Sequence, residues 1–492
     1  MTFAMLAAAA EPLTFAKIVG AVDDFAWGPV MLILLVGTGL YLSIRSGFLQ
    51  FTRFGYAMRN TIGRIFKKQS AGKGEVTPFQ AMTTALAGTV GTGNIAGVTG
   101  AIFIGGPGAV FWLWISALVG MVTKYSEVVL AVRYRERNEA GDWVGGPMYY
   151  IKNGLGKNWM WLAFVFAFFG MIASFGIGNT TQVDSIATAI GTAVSAFGGD
   201  INAHTVMLFG SAVPVFRLVI GVLVALFTAA VIIGGIKRIG AVTERLVPAM
   251  AVIYILAALV VVFGNIGQIG RVLGDIFRGA FSPSAVCGGA AGIAIMKTIQ
   301  KGIARGVFSN EAGLGSAPIA HAATSETDPV KQGVYGIFEV FMDSIVICTL
   351  TSLALLMGLY GQGAELAWGN GAGSEMVVQA FSGIFSGKVA SIIIAVGLSL
   401  FALSTVLSWS LYGSRCCEFL FARGAKTATL IYKIAFCIIL VIGSTLGLDI
   451  VWTIGDALNG LMAIPNLVAL LLLSGTIIGI TKEHFANKEN LK

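Results

Sequence analysis

The chain has 492 residues, of which 56% are hydrophobic and only 11% charged, whereas soluble domains carry roughly 25% charged residues. That composition excludes an array of soluble domains, and no polar stretch between the apolar runs is long enough to fold separately. The net charge of +8 does not point to nucleic acid, because the basic residues sit in short segments between apolar runs without the aromatic interleaving of a single-strand binder.

In chain order, the first ten residues resemble a signal peptide in their small side chains but lack a Lys or Arg before the apolar part. Insertion through the first span is therefore expected, without cleavage. A span needs about 20 mostly apolar residues, because its backbone polar groups must be satisfied within the segment. Eleven segments qualify: 25–46, 78–104, 107–134, 158–192, 215–235, 240–265, 284–306, 332–358, 387–413, 427–447 and 451–480. The five cysteines, Cys287, Cys348, Cys416, Cys417 and Cys437, lie in or beside these spans without CxxC spacing, so free thiols are expected.

Lys and Arg are retained on the cytoplasmic side of a membrane protein. Arg45, Arg53, Arg59, Arg64, Lys67, Lys68 and Lys73 follow the first span, and every second connection after it is basic as well. Of the 32 cations, 22 fall on that side, and only Lys17, Arg217, Arg271, Arg278 and Lys388 fall on the other. The expected topology has the N-terminus outside and the C-terminus in the cytoplasm, in a bacterial inner membrane. Spans two to six and seven to eleven then enter the bilayer from opposite sides, which is the arithmetic of an inverted repeat. The expected organisation is 1–77 for an N-terminal segment, extra span and basic loop, 78–265 and 266–480 for the two repeats, and 481–492 for a tail.

Transporters with inverted repeats bind substrate and ions where the first helix of each repeat is broken. The second span carries Thr89, Val90, Gly91, Thr92, Gly93 and Asn94 at mid-depth, where each glycine costs a helix about 1 kcal/mol relative to alanine. Freed N–H groups there suit a carboxylate and freed carbonyls suit Na+, with Asn94 as a further oxygen donor; the alternative is close packing through small residues. In the seventh span, Cys287, Gly288, Gly289 and Gly292 are the expected second break. Ser309–Gly315 is placed at the inner face, because it follows Lys297, Lys301 and Arg305. In the ninth span Phe401, Ser404 and Thr405 share one helix face and offer a carbonyl and two hydroxyls to a monovalent cation. Asp343 is the mid-span acid best placed for an ion or proton role. Gln182 is a candidate substrate contact, with an interhelical hydrogen bond as the alternative. Lys124 and Glu127 are expected to pair with each other. Phe111–Trp114 reads as an interfacial anchor, and His204, His321 and His484 have no metal-binding spacing.

Gly105-Gly106-Pro107-Gly108-Ala109-Val110-Phe111-Trp112-Leu113-Trp114, Thr92–Gly97 and Ser309–Pro318 resemble the signatures of the sodium:alanine (alanine or glycine:cation) symporter family, with Leu113 where that signature usually has Met. The resemblance covers nearly the whole chain. It implies an all-α polytopic fold with a LeuT-type 5+5 inverted repeat and one extra N-terminal helix, and sodium-coupled uptake of alanine or glycine by alternating access. It implies that Gly91–Asn94 and the break in the seventh span hold substrate, and that the carbonyls of Ala87, Val90 and Phe401 hold Na+ with Ser404 and Thr405. The expected partners are a small neutral amino acid and the lipid bilayer; the oligomeric state is left open. The rival readings are a proton-coupled transporter using Asp343 and a cation channel. An enzyme is disfavoured, because the spans carry no nucleophile with a base and no metal cluster.

Overall fold

The computed structural model describes residues 15–64, 70–208, 211–287, 294–364, 366, 368–369, 373–445 and 449–487. Among these, nine helices are long and apolar enough to cross a bilayer, and one bent helix pair makes a tenth. The helices used below are α1 (Phe15–Ala26) and α2 (Pro29–Arg45), then α3 (Pro78–Thr89), α4 (Ala96–Gly105), α5 (Ala109–Arg133), α6 (Met160–Phe175), α7 (Thr181–Ala196), α8 (Val215–Ile232) and α9 (Gly235–Gly264). The second half contains α10 (Ile295–Asn310), α11 (Ala317–His321), α12 (Pro329–Val340), α13 (Thr349–Gly361), α14 (Gly387–Leu420), α15 (Ala425–Thr445), α16 (Asp449–Leu472) and α17 (Ser474–Ala486). The fold is thus all-helical and polytopic, as expected. Of the expected span 284–306, α10 covers only the second half and is not among the helices long and apolar enough to cross a bilayer, and the span's candidate break residues Gly288, Gly289 and Gly292 lie outside the described residues. The five cysteines are free.

Burial sorts the helices. In its most apolar stretch α5 is 83% buried, whereas the span containing α15 is only 28% buried, so α5 belongs to the centre and α15 to the lipid-facing rim. Around α5 pack α10, α12 and α2, while the 34-residue α14 crosses α3, α6, α7 and α9. Two antiparallel hairpins are the only β-pairs with several residues among the described residues. β1 (Glu136–Arg137) pairs with β2 (Trp143–Val144) through Glu136↔Val144, and β3 (Thr205–Leu208) pairs with β4 (Ser211–Pro214) through Thr205↔Pro214.

At the end of the molecule where α3 starts, the chain is tied to the segment between α11 and α12. A capping box, Thr77 with Gln80, starts α3 behind Pro78, a combination that satisfies the orphan N–H groups of the first turn. Just before it, the Val76 N–H donates to the Ala323 carbonyl (3.0 Å), and the Ser325 N–H donates to the Val76 carbonyl (2.8 Å). Arg135 completes this seam. Its guanidinium donates to the carbonyls of Ala322, Thr324 and Glu326 and lies 4.4 Å from the centre of the Trp143 ring. A cation is thereby set against the carbonyls that follow α11, where the helix dipole favours it.

The tail closes the same end. Asp328 caps α12 by accepting from Val330 and Lys331, and its other oxygen contacts His484 Nδ1 at 2.8 Å. Burial pushes the Asp328 carboxyl up, but the His484 imidazole and the two peptide N–H groups outweigh it and hold the carboxyl below its ordinary value. The other His484 ring nitrogen meets the Tyr56 hydroxyl at 2.9 Å.

Truncating Arg135 tests the seam. Arg135→Ala is expected to lower the thermal unfolding midpoint in detergent, with a loss of about 1.5–3 kcal/mol for bonds from a charged donor. Arg135→Lys, which keeps the charge without the planar fork, is expected to recover only part.

Candidate functional site

The first break falls where the glycines predict it. α3 ends at Thr89, a short turn covers Thr92–Asn94, and the chain bends by 57° before α4. Gly91 is required by proximity as well as by flexibility, because a Cβ there would stand 2.5 Å from Thr405 Oγ1. The bend frees backbone groups, and in a bilayer each needs a partner from the protein. Asn94 supplies one by accepting from the Gly91 N–H (2.8 Å). The Asn94 amide nitrogen donates to Asp343 Oδ1 (2.6 Å) and Ser309 Oγ (2.9 Å). Ser309 Oγ and Ser344 Oγ in turn donate to Asp343. Asp343 itself lies on a wide, π-helical stretch, Phe341–Cys348, between α12 and α13. Asn94, expected to offer its oxygen to an ion or substrate, uses that oxygen here to close the break.

On the other side of the break α3 runs along α14. Ser408 Oγ donates to the Thr84 carbonyl (2.6 Å). One turn earlier, Ser404 Oγ stands 3.2 Å from the Ala87 carbonyl, 3.4 Å from the Val90 carbonyl and 2.8 Å from the Phe401 carbonyl. Thr405 Oγ1 stands 3.0 Å from the same Phe401 carbonyl. One hydroxyl hydrogen cannot satisfy three carbonyls, so this is an oxygen-rich point suited to a hard cation. The negative end of the α3 dipole adds to it.

The second break is at Glu311–Ser316, between α10 and α11. Glu311 has φ of 56°, and Gly313 and Gly315 have φ of 93° and 83°, left-handed values that glycine tolerates and glutamate seldom adopts. Two residues one turn apart on α5 brace it. Lys124 Nζ donates to the Asn310 carbonyl (2.8 Å) at the end of α10, and Glu127 Oε1 accepts from the Gly313 N–H (3.0 Å) and from Asn466 (2.5 Å). Cation and anion are thus matched to opposite helix ends. The expected pairing of Lys124 with Glu127 is replaced by this brace, and the nearest carboxylate to Lys124 is Glu339, at 3.8 Å. Glu339 also meets His321 Nε2 (2.5 Å).

Placing Ser309–Gly315 at the inner face is corrected as well. The residues expected to mark the basic end do not lie there: the Arg305 guanidinium rests 4.7 Å from the Phe308 ring centre and against Gly97 of α4, and the Lys301 side chain abuts Gly105. Ser309 is level with Asn94. In the Phe111–Trp114 run, Trp112 donates to the Ala280 carbonyl and Trp114 to Thr349.

Between the breaks lies a small cavity of about 20 Å³, room for about one water. Of the sequence candidates, Thr89, Gly91, Thr92, Gly93, Gln182 and Thr405 line it. Ala87, Val90, Phe401 and Ser404 form the oxygen cluster beside it, and Asn94 and Asp343 stand behind it. Gln182 is held by both ends of its amide, accepting from Thr92 Oγ1 (3.2 Å) and donating to the Ile177 carbonyl (2.8 Å). Gly88, Ile177, Phe308, Ser309, Glu311, Trp409 and Asn459 complete the lining. Of these, only Ser309 and Glu311 carried a sequence signal, in the segment read as the inner turn. Glu311 accepts from Trp409 Nε1 (3.0 Å) and Ser316 Oγ (2.5 Å).

The sequence profile of the sodium:alanine symporter family matches residues 13–492. The chain is 45% identical over 480 residues to the sodium/alanine symporter AgcS of Methanococcus maripaludis, covering 97% of this chain and 99% of that one. It is 34% identical over 475 residues to the protein of Bacillus subtilis named probable sodium/glutamine symporter GlnT, covering 96% and 91%. Among solved structures, MhsT in complex with L-phenylalanine matches with a TM-score of 0.57 at 15% identity, covering 84% of this chain and 99% of that one. That likeness of fold agrees with the expected LeuT-type core.

A double-mutant cycle tests the first brace. Asn94→Ala strands the Gly91 N–H, at about 1–3 kcal/mol for a buried group left unpaired, and removes one of the donors to Asp343. Adding Asp343→Ala is expected to cost much less than the two single changes summed, measured as unfolding midpoints of the four proteins.

Proposed function

Because the chain belongs to the sodium:alanine symporter family, a family of multi-pass sodium-coupled amino-acid symporters and not of enzymes, we propose that it imports a small neutral amino acid, alanine or glycine, together with Na+. The observation that carries this reading is the meeting of Ser404 with the Ala87, Val90 and Phe401 carbonyls. Ala87, Val90, Phe401, Ser404 and Thr405 hold the ion. Na+ bound there links α3 to α14 and favours the conformation in which the two breaks accept a zwitterion. Coupling is then a difference of affinity between states. The substrate carboxylate meets the peptide groups of Gly91–Gly93, beside Thr89 and Thr92.

A small substrate fits the setting, since Ile177, Phe308 and Trp409 bound the cavity while Gly88, Gly91 and Gly93 add backbone without side chains to its wall. The two relatives named above differ in substrate, so glutamine is the competitor to test against alanine. The cation-rich end faces the cytoplasm of a bacterial inner membrane, with the N-terminus outside. The sodium gradient and the membrane potential then drive uptake, the potential contributing about 2.3 kcal/mol per charge per 100 mV. A second reading, proton coupling, has one specific support: the buried Asp343 carboxylate is bonded directly to Asn94 at the break.

Uptake of radiolabelled alanine into proteoliposomes separates these readings. Accumulation is expected under an inward Na+ gradient, and not when K+ replaces Na+ or in Thr405→Ala. Asp343→Asn is expected to keep sodium dependence; loss of coupling in that variant, with accumulation equal in K+ and driven by a proton gradient, favours the second reading.

A further inference from the structure

Nearly every polar side chain around the cavity is already bonded within the protein. Thr89 donates to the Leu86 carbonyl, Thr92 to Gln182, Thr405 to the Phe401 carbonyl and Ser309 to Asp343. Gln182 and Trp409 also have partners. Asn459 is the exception. It stands on α16, 1% exposed, lines the cavity, and its side-chain oxygen accepts no hydrogen bond. A buried acceptor without a donor destabilises the protein unless something supplies the donor. Across the same lining stands Glu311, the one ionisable side chain there. Its two bonded oxygens retain acceptor capacity, since a carboxylate offers about four lone-pair sites.

Among the described residues the cavity therefore presents one amide oxygen without a donor, one carboxyl group and no cationic side chain. We infer that Asn459 Oδ1 and the Glu311 carboxylate together receive the ammonium group of the transported amino acid. This rests on the amino-acid transport reading and deepens it. A primary ammonium brings three N–H donors, enough to bond both oxygens at once, and its charge offsets that of Glu311 where a second anion is excluded. With the ammonium fixed at α16 and the second break, the substrate carboxylate turns toward Gly91–Gly93. The zwitterion then bridges the two broken helices by its charged ends. Selection acts on the α-amino group: lactate, with the same carboxylate and methyl group but a hydroxyl in place of the ammonium, is rejected.

Equilibrium binding of radiolabelled alanine to the purified full-length protein in Na+ tests the inference, with unlabelled lactate, glycine and glutamine as competitors. ²²Na+ binding without amino acid runs in parallel. Asn459→Leu and Glu311→Gln are expected to weaken alanine binding about 10- to 100-fold, as for a lost hydrogen bond to a charged group. Both are expected to narrow the preference for alanine over lactate while leaving ²²Na+ binding intact, and Asn459→Gln, which keeps a neutral acceptor, to weaken alanine binding less than Asn459→Leu. Unchanged alanine affinity and unchanged lactate discrimination in Asn459→Leu overturn the inference and assign the Asn459 oxygen to a bound water. Loss of ²²Na+ and alanine binding together in every Asn459 variant overturns it in favour of a structural role. If the wild-type protein binds none of the amino acids, the transport reading falls and this one with it, a pattern distinct from failure confined to the variants.

Discussion

A peptide group that leaves a helix inside a bilayer must find its partner within the protein, and the architecture around the site answers that demand. Two helices are interrupted at the same depth, and each interruption has its own brace. Asn94 serves the first by accepting from the Gly91 N–H while donating to Asp343 and Ser309. Lys124 and Glu127 serve the second from a single turn of α5, the cation at the carbonyl end of α10 and the anion at the N–H group of Gly313. Ser309 belongs to both neighbourhoods, so the two breaks are mechanically joined. Removing either brace leaves buried charge or peptide groups unmatched, which is why these polar residues persist in a protein that is 56% hydrophobic.

What the braces leave open is the function. Gly91 lets α3 approach α14 closely enough for Ser404, already beside the Phe401 carbonyl of its own helix, to meet the Ala87 and Val90 carbonyls as well, and it leaves the cavity walled by backbone on one side. In the proposed mechanism an ion at those carbonyls and an amino acid between the breaks each stabilise the same arrangement of α3 against α14. Arg135 and the Val76–Ala323 pairing hold the start of α3 and the chain after α5 to the segment between α11 and α12. The cavity of about 20 Å³ is consistent with a closed arrangement at both ends.

Much of this was legible in the sequence, for physical reasons that also mark where legibility ends. Spans are written in apolar length, and the break at Gly91 in the local cost of glycine. The face shared by Phe401, Ser404 and Thr405 follows from helix periodicity alone. The expected break at Gly288, Gly289 and Gly292 lies outside the described residues, and the interruption at Glu311–Ser316 is hidden from the sequence because Lys301 and Arg305 suggest the cation-rich end. Arg305 instead folds over Phe308 beside α4, a tertiary contact that local pattern does not encode. Lys124 and Glu127 suggested a pair by spacing, but the unwound chain between α10 and α11 competes for both. Trp409 and Asn459 carry no local signal at all, since a single polar residue in an apolar span becomes a site only through its neighbours.

The most direct measurement of the central claim is thermodynamic linkage between the two ligands. Alanine affinity measured over a range of Na+ concentrations, and ²²Na+ affinity measured over a range of alanine concentrations, are predicted to rise by the same factor, because coupling through one shared conformation is reciprocal. Affinities that are independent of each other would contradict the account, since the oxygen cluster on α14 and the breaks beside it would then not belong to one coupled site.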